Sequence, residues 1–193
     1  MTTPSKADPP TDPRAGGKAV AAVFVGLGAN LGDARAALIA AFDALRGLAS
    51  PDAATGANSL VASAIYRSAP VDAVGPDFVN AVARFDTGLA PWALLDALHG
   101  IERRFGRERP WRNAPRTLDL DLLLYGVAGD WGGECRADGR IELPHPRAAR
   151  RAFVLEPLAE LWPDGEIPGA GRVADLLARA RRDPAQRVER LPA

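Results

Sequence analysis

Between Arg107 and Asp121 the chain reads Arg-Glu-Arg-Pro-Trp-Arg-Asn-Ala-Pro-Arg-Thr-Leu-Asp-Leu-Asp. Arg107, Arg109, Arg112 and Arg116 thus sit in a proline-broken segment directly ahead of two carboxylates in an apolar run. Strand side chains alternate between faces, so Asp119 and Asp121 share one face and Leu118, Leu120, Leu122 and Leu124 the other. Two residues of strand separate the aspartate Cα atoms by roughly 6.6 Å. At that range, and an effective dielectric near 20, two carboxylates repel by about 2–3 kcal/mol. A fold keeps such a pair only with compensating cations. Either the arginines supply them as structural ion pairs, or a divalent metal does. Magnesium takes hard oxygen ligands, often one or two carboxylates plus substrate phosphates. Arginine matches phosphate oxygens as a planar fork, and a loop punctuated by Gly and Pro can close over a nucleotide. A solvated basic loop is the plain alternative.

Other residues extend the pattern. Glu102 lies at the edge of an apolar helical stripe, three residues before Phe105, where it either contacts a polar ligand or captures an arginine. His99 shares that flank and takes no role. His145 is held between Pro144 and Pro146, with Arg147, Arg150 and Arg151 close behind. This is a phosphate-facing cluster or simply a basic helix start. Phe78 and Asn80 alternate onto one strand face, an aromatic beside an amide that could receive a flat heterocycle; a core Phe with an edge Asn is the competing reading. Gly26, Gly28 and Gly32 follow an apolar strand and precede a helix. They miss the dinucleotide fingerprint because Leu31 stands where its third glycine belongs. They form a tight turn or let backbone approach a ligand.

The bulk composition narrows the classes. A chain of 193 residues suits one domain, long enough to bury roughly 70% of its unfolded surface. Formal net charge is zero, so no global field draws the chain to nucleic acid or membrane. Lys6 and Lys18 are the only lysines; an Arg excess alongside Ala, Gly and Pro fits a GC-rich genome, so the positions of the arginines carry more than their number. A single cysteine, Cys135, excludes an internal disulfide framework and a thiolate zinc site, and two histidines make a His-rich metal site implausible. No apolar run reaches a membrane-spanning length. Residues 1–18, with four prolines and no apolar core segment, read as a disordered tail ahead of a single domain over 19–193. The cytoplasm is the expected compartment, and a monomer the expected assembly.

The elements that must position these residues follow from periodicity. Ala21–Val25 is a buried strand, and Ala34 to Leu48 keeps helical spacing behind an Asp33 N-cap. Asn58–Arg67 reads as one strand, Ser68–Pro76 as irregular loop and Asp77–Phe85 as another strand. A second helix opens at Pro91 and stops at Gly106. The Asp-Leu-Asp strand comes next, then a polar connection over Gly126–Gly139 and a short strand at Ile141–Leu143. Arg147–Leu161 and Val173–Arg182 are helical, separated by a Pro/Gly loop. Strand-helix-strand-strand-helix-strand is a split βαβ order. The predicted class is α+β, ferredoxin-like, with a mainly antiparallel sheet and helices packed on it.

Taken together, several ordered motifs resemble the 6-hydroxymethyl-7,8-dihydropterin pyrophosphokinase family. They are Val25-Gly26-Leu27-Gly28-Ala29-Asn30-Leu31-Gly32, Ser63-x-x-Tyr66-Arg67-Ser68-x-Pro70, Asp77-Phe78-Val79-Asn80, Ile101-Glu102, Arg112-x-Ala114-Pro115-Arg116-x-x-Asp119-Leu120-Asp121, Leu143-Pro144-His145-Pro146-Arg147 and Arg151-Ala152-Phe153. The resemblance implies transfer of pyrophosphate from ATP to the hydroxymethyl group of the reduced pterin, with release of AMP. It implies Asp119 and Asp121 holding two Mg²⁺ ions, and Phe78 and Phe153 sandwiching the pterin. Asn80 and the backbone around Ser68, Ala69 and Val71 would read the pterin edge. Glu102, Arg116, His145 and Arg151 would contact the nucleotide, while Arg107, Arg109 and Arg112 would belong to a mobile catalytic loop. Asn113 stands where some members have tryptophan, and the loop has no lysine. Two other readings compete: a different Mg²⁺-dependent nucleotidyl- or phosphotransferase, and a module binding RNA or DNA through the arginine loop. Zero net charge weakens the last.

Overall fold

The computed structural model describes residues 20–52, 54–71, 75–106, 116–127, 136–137 and 141–192. The tail over 1–18 and the loop residues Arg107, Arg109 and Arg112 lie outside the described residues. In chain order the elements are β1 (Ala21–Ala29), α1 (Ala34–Arg46), β2 (Val61–Ala62), β3 (Tyr66–Ser68), β4 (Phe78–Thr87), α2 (Pro91–Arg104) and β5 (Asp119–Val127). β6 (Arg136–Ala137), β7 (Glu142–Leu143), α3 (Ala152–Leu161), β8 (Glu166–Ile167), β9 (Gly171–Arg172), α4 (Val173–Ala180) and β10 (Val188–Arg190) complete them.

The main sheet runs β10-β3-β4-β1-β5, with β2 also on β4, and every pairing in it is antiparallel. Each βαβ unit leaves a gap that a strand of the other fills, which is the ferredoxin-like order expected from the sequence. Val25, Leu27, Ala81 and Phe85 pack against Leu38 and Leu45 of α1 and Leu94 and Leu98 of α2. On the opposite face Phe24, Val82 and Leu123 pack against Leu155 and Leu158 of α3 and Leu177 of α4. The sheet is therefore covered on both faces, and β1 reads as continuously apolar for that reason. Both helix boundaries follow the local chemistry. Asp33 accepts the Ala36 N–H at 3.0 Å, and Gly106 takes φ 70° just past α2, where a side chain would be strained.

Several expectations need correction. β1 does not stop at Val25 but continues through Gly26 to Ala29, because β4 and β5 flank it and hydrogen-bond the glycines into the ladder. The strand expected over Asn58–Arg67 is two pieces. The register along β4 shifts by one residue between Ala62↔Ala83 and Tyr66↔Asn80, and the Ser63 hydroxyl accepts the Val82 N–H at 3.0 Å in place of a backbone carbonyl. Leu124 does not share a face with Leu118, Leu120 and Leu122. The β1–β5 register jumps between Phe24↔Leu124 and Val25↔Leu122, so a bulge at Leu123 sends Leu123 and Leu124 to the α3 face. The helix expected over Arg147–Leu161 is a single 3₁₀ turn at Ala148–Arg150, then an extended Arg151, then α3. A β8–β9 hairpin occupies the expected Pro/Gly loop, and β10 adds an edge strand that its sequence, with one apolar residue, does not announce.

Candidate active site

Directly opposed residues of an antiparallel pair project to the same side of the sheet. Gly28 lies between Asn80 of β4 and Asp119 of β5, and Gly26 lies between Val82 and Asp121. Val25, Leu27 and Ala29 face the α1/α2 core, so the two glycines face the α3 side. The Leu123 side chain covers Gly26, so the open floor of a trough is at Gly28, with Asn80 along one wall and Asp119, followed by Asp121, along the other. A Cβ on Gly26 would lie 3.3 Å from the Leu123 side chain, a tight fit. A Cβ on Gly28 would sit at an ordinary 3.5 Å from Asn80 Oδ1. Protein packing does not demand glycine at 28; an open floor does.

Asp119 and Asp121 share the face predicted for them, both half-buried. The Arg116 guanidinium pairs with the Asp119 carboxylate, so the structural ion-pair reading holds for one aspartate. The Asp121 carboxylate makes no hydrogen bond or ion pair among the described residues. Its ionisable neighbour is His145, placed there because the His145 N–H donates to the Leu123 carbonyl at 2.9 Å. The bulge that corrects the strand pattern is thus what seats His145. Burial holds that imidazole below its ordinary pKa; Arg151 and Arg147 push the same way, and Asp121 opposes them. His145 Nδ1 accepts the Arg147 N–H at 3.2 Å, so in the neutral ring the proton sits on Nε2, a donor available to a ligand.

Glu102 is only 2% exposed, deeper than its place at a stripe edge suggested. Its Oε1 accepts the Leu120 N–H at 2.8 Å, fixing the residue between the two aspartates on the open edge of β5. On the other wall, Asn80 is in a central strand rather than at an edge, and its Nδ2 donates to Ser68 Oγ at 3.0 Å. Phe78 is half-buried beside it, opposite Ser68, while Ala69 is exposed and Val71 half-buried. At the start of α3 the Arg151 guanidinium lies 5.3 Å from the Phe153 ring centroid. Arg151 therefore links Phe153 to the His145–Asp121 corner.

The structure brings together Ser68, Phe78, Asn80, Asp119, Asp121, Arg116, Glu102, His145 and Arg151 around one end of the sheet. It also contains residues that no motif in the sequence assigned a role. Asn30 is 4% exposed and bridges the ends of three segments; its place right after the strand and glycines was the available signal. Gln186, far along the chain, accepts the Ala152 N–H at 2.8 Å and steadies the start of α3; no local pattern reveals it. Thr117 Oγ1, between Arg116 and the aspartates, is buried without a hydrogen-bond partner among the described residues.

The family model for 7,8-dihydro-6-hydroxymethylpterin-pyrophosphokinase matches residues 24–163. The chain is 45% identical over 173 residues to the 2-amino-4-hydroxy-6-hydroxymethyldihydropteridine pyrophosphokinase of Pseudomonas aeruginosa, covering 88% of this chain and 96% of that one. It is 38% identical to the enzyme of the same name from Methylorubrum extorquens, over 86% and 98% of the two chains. A solved HPPK-DHPS chain from Plasmodium falciparum superposes with a TM-score of 0.58 at 11% identity, over 83% of this chain and 45% of that one, which supports the fold alone. With a matched region that runs from β1 to just past α3, and so includes the glycine-floored trough and both its walls, the chain belongs to the 7,8-dihydro-6-hydroxymethylpterin-pyrophosphokinase family, enzymes of folate biosynthesis.

Proposed function

We propose that this chain transfers pyrophosphate from ATP to the hydroxymethyl oxygen of 6-hydroxymethyl-7,8-dihydropterin, giving the pterin diphosphate and AMP. The observation that carries the reading is the trough floored by Gly28, with the Asn80 amide wall on one side and the Asp119 carboxylate wall on the other. Two chemically different substrates need such a two-sided site. In the reaction the hydroxymethyl oxygen bonds to the β-phosphorus of ATP, the bond from that phosphorus to the α–β bridging oxygen breaks, and the hydroxyl proton is lost.

Asp119 and Asp121 fit Mg²⁺ by donor type: two hard-oxygen ligands on one face, one of them without a charge partner among the described residues. Two ions held there would neutralise phosphate charge and align the triphosphate. Arg116 orients Asp119, and Glu102 pins the backbone between the ligands. His145, neutral with Nε2 as donor, and Arg151 face the nucleotide. Asn80, with Ser68, Ala69 and Val71, reads the pterin edge, and Phe78 and Phe153 stack on its faces. Arg107, Arg109 and Arg112 close over the phosphates as the catalytic loop. Catalysis of this kind rests on positioning and charge neutralisation. Residues 19–193 act as one domain, in the cytoplasm and as a monomer, on small-molecule substrates rather than nucleic acid. Among the described residues no helix is long and apolar enough to cross a membrane.

The test is product identity. With ATP, Mg²⁺ and the reduced hydroxymethylpterin, AMP should appear only when pterin is present. ADP, or nucleotide turnover without pterin, refutes the assignment.

A further inference from the structure

We infer that Asn30 is a positioning residue that sets the spacing between the two walls of the site. This rests on the pyrophosphoryl-transfer reading above. Asn30 is buried at the end of β1, one residue beyond the strand. Its Nδ2 donates to the Pro76 carbonyl at 3.2 Å, two residues before the start of β4, where Phe78 and Asn80 form the amide wall. Its Oδ1 accepts the Arg116 N–H at 2.8 Å, and its own N–H donates to the Arg116 carbonyl at 3.0 Å. Both backbone polar groups of Arg116 are therefore held by Asn30, and the Arg116 side chain in turn holds Asp119.

One amide thus fastens the lead-in to the pterin wall and the lead-in to the carboxylate wall to the same point. Pro76 and Arg116 each lie just ahead of a strand that forms one wall, where a shift of a fraction of an ångström matters to in-line transfer. The asparagine amide has a donor and an acceptor pointing apart, and here each serves one wall. Ala removes both side-chain bonds.

The experiment compares Asn30→Ala with Thr87→Val. Thr87 is fully buried at the far end of β4, and its hydroxyl donates to the Leu48 carbonyl at 2.8 Å, so its loss mimics the stability cost without touching the site. Both variants are melted, and kcat and KM for ATP and for the pterin are measured below both transitions. Asn30→Ala should lose roughly 10–100-fold in kcat/KM for both substrates, the range seen when a residue supporting a ligand group is removed. Thr87→Val should stay within about twofold. Because Asn30 acts through Arg116, adding Arg116→Ala should cost less in the Asn30→Ala background than in the wild type. If Asn30→Ala melts below the assay temperature, Asn30→Ser takes its place. Kinetics within about twofold of wild type for the Asn30 variant assayed, or strictly multiplicative losses in the double variant, overturn the proposal. Failure of the wild-type enzyme to form AMP would instead refute the parent reading.

Discussion

Glu102 shows how one side chain serves both stability and site geometry. Burying a carboxylate is costly unless it is bonded, and its Oε1 takes the Leu120 N–H, which pairs with no strand on that side of β5 among the described residues. Glu102→Ala should therefore leave that N–H unsatisfied and cost about 1–3 kcal/mol by denaturant titration, while Glu102→Gln, which keeps an acceptor, should cost less. Tyr66 offers a pH test away from the site. Burial first, then its hydrogen bond to Glu160, push the phenol up from 10.0 to about 12. A group whose pKa is raised on folding contributes stability that is complete below its unfolded value and lost above it. The advantage of wild type over Tyr66→Phe should be constant to about pH 10 and shrink between pH 10 and 12, read from unfolding midpoints across that window. That Asp119 and Asp121 share one face and call for cations was legible in sequence, because strand side chains alternate. That Arg116 takes one and leaves the other to His145's corner was not, since it depends on side-chain directions set by the loop's exit.

At the scale of elements, irregularities carry the site. The Leu123 bulge directs that residue's carbonyl to the His145 N–H, and Gly26 makes room for the displaced Leu123 side chain. Gly26→Val should drive the bulge outward, cost about 1–3 kcal/mol as overpacking does, and raise the KM for ATP more than that for the pterin as His145 shifts. Equal KM values with lowered stability would mean that the bulge and His145 are uncoupled. α1, α2 and the central strand β4 were readable because their apolar periods and caps are local: Asp33, Pro91 and Gly106 all stand where the structure ends or begins a helix. Bulges were not readable. Ser63 and Leu123 look like ordinary strand residues, and only the register against β4 and β1 makes each an extra residue.

At the scale of the molecule, two helical layers bury both faces of the sheet over most of its length, and the trough lies where glycine replaces apolar side chains on the α3 face. β10 closes the β3 edge, with Leu191 N–H donating to the Ile65 carbonyl at 2.8 Å and Arg67 paired with Glu189. Removing 188–192 should expose that edge and promote association, visible as a rise in light scattering before any loss of turnover per folded molecule. The split βαβ order was legible because each unit has its own period; the β10 strand was not, because an edge pairing needs little apolar content. The carboxylate wall is the proposed metal and phosphate site. Binding of a non-hydrolysable ATP analogue should be measured by calorimetry, with and without Mg²⁺, for wild type and Asp121→Ala. The wild type should bind at least about tenfold more tightly with Mg²⁺, and Asp121→Ala should lose that gain while keeping its circular dichroism and melting transition. An unchanged Mg²⁺ gain in the folded variant would contradict the assignment of this wall as the metal and phosphate site.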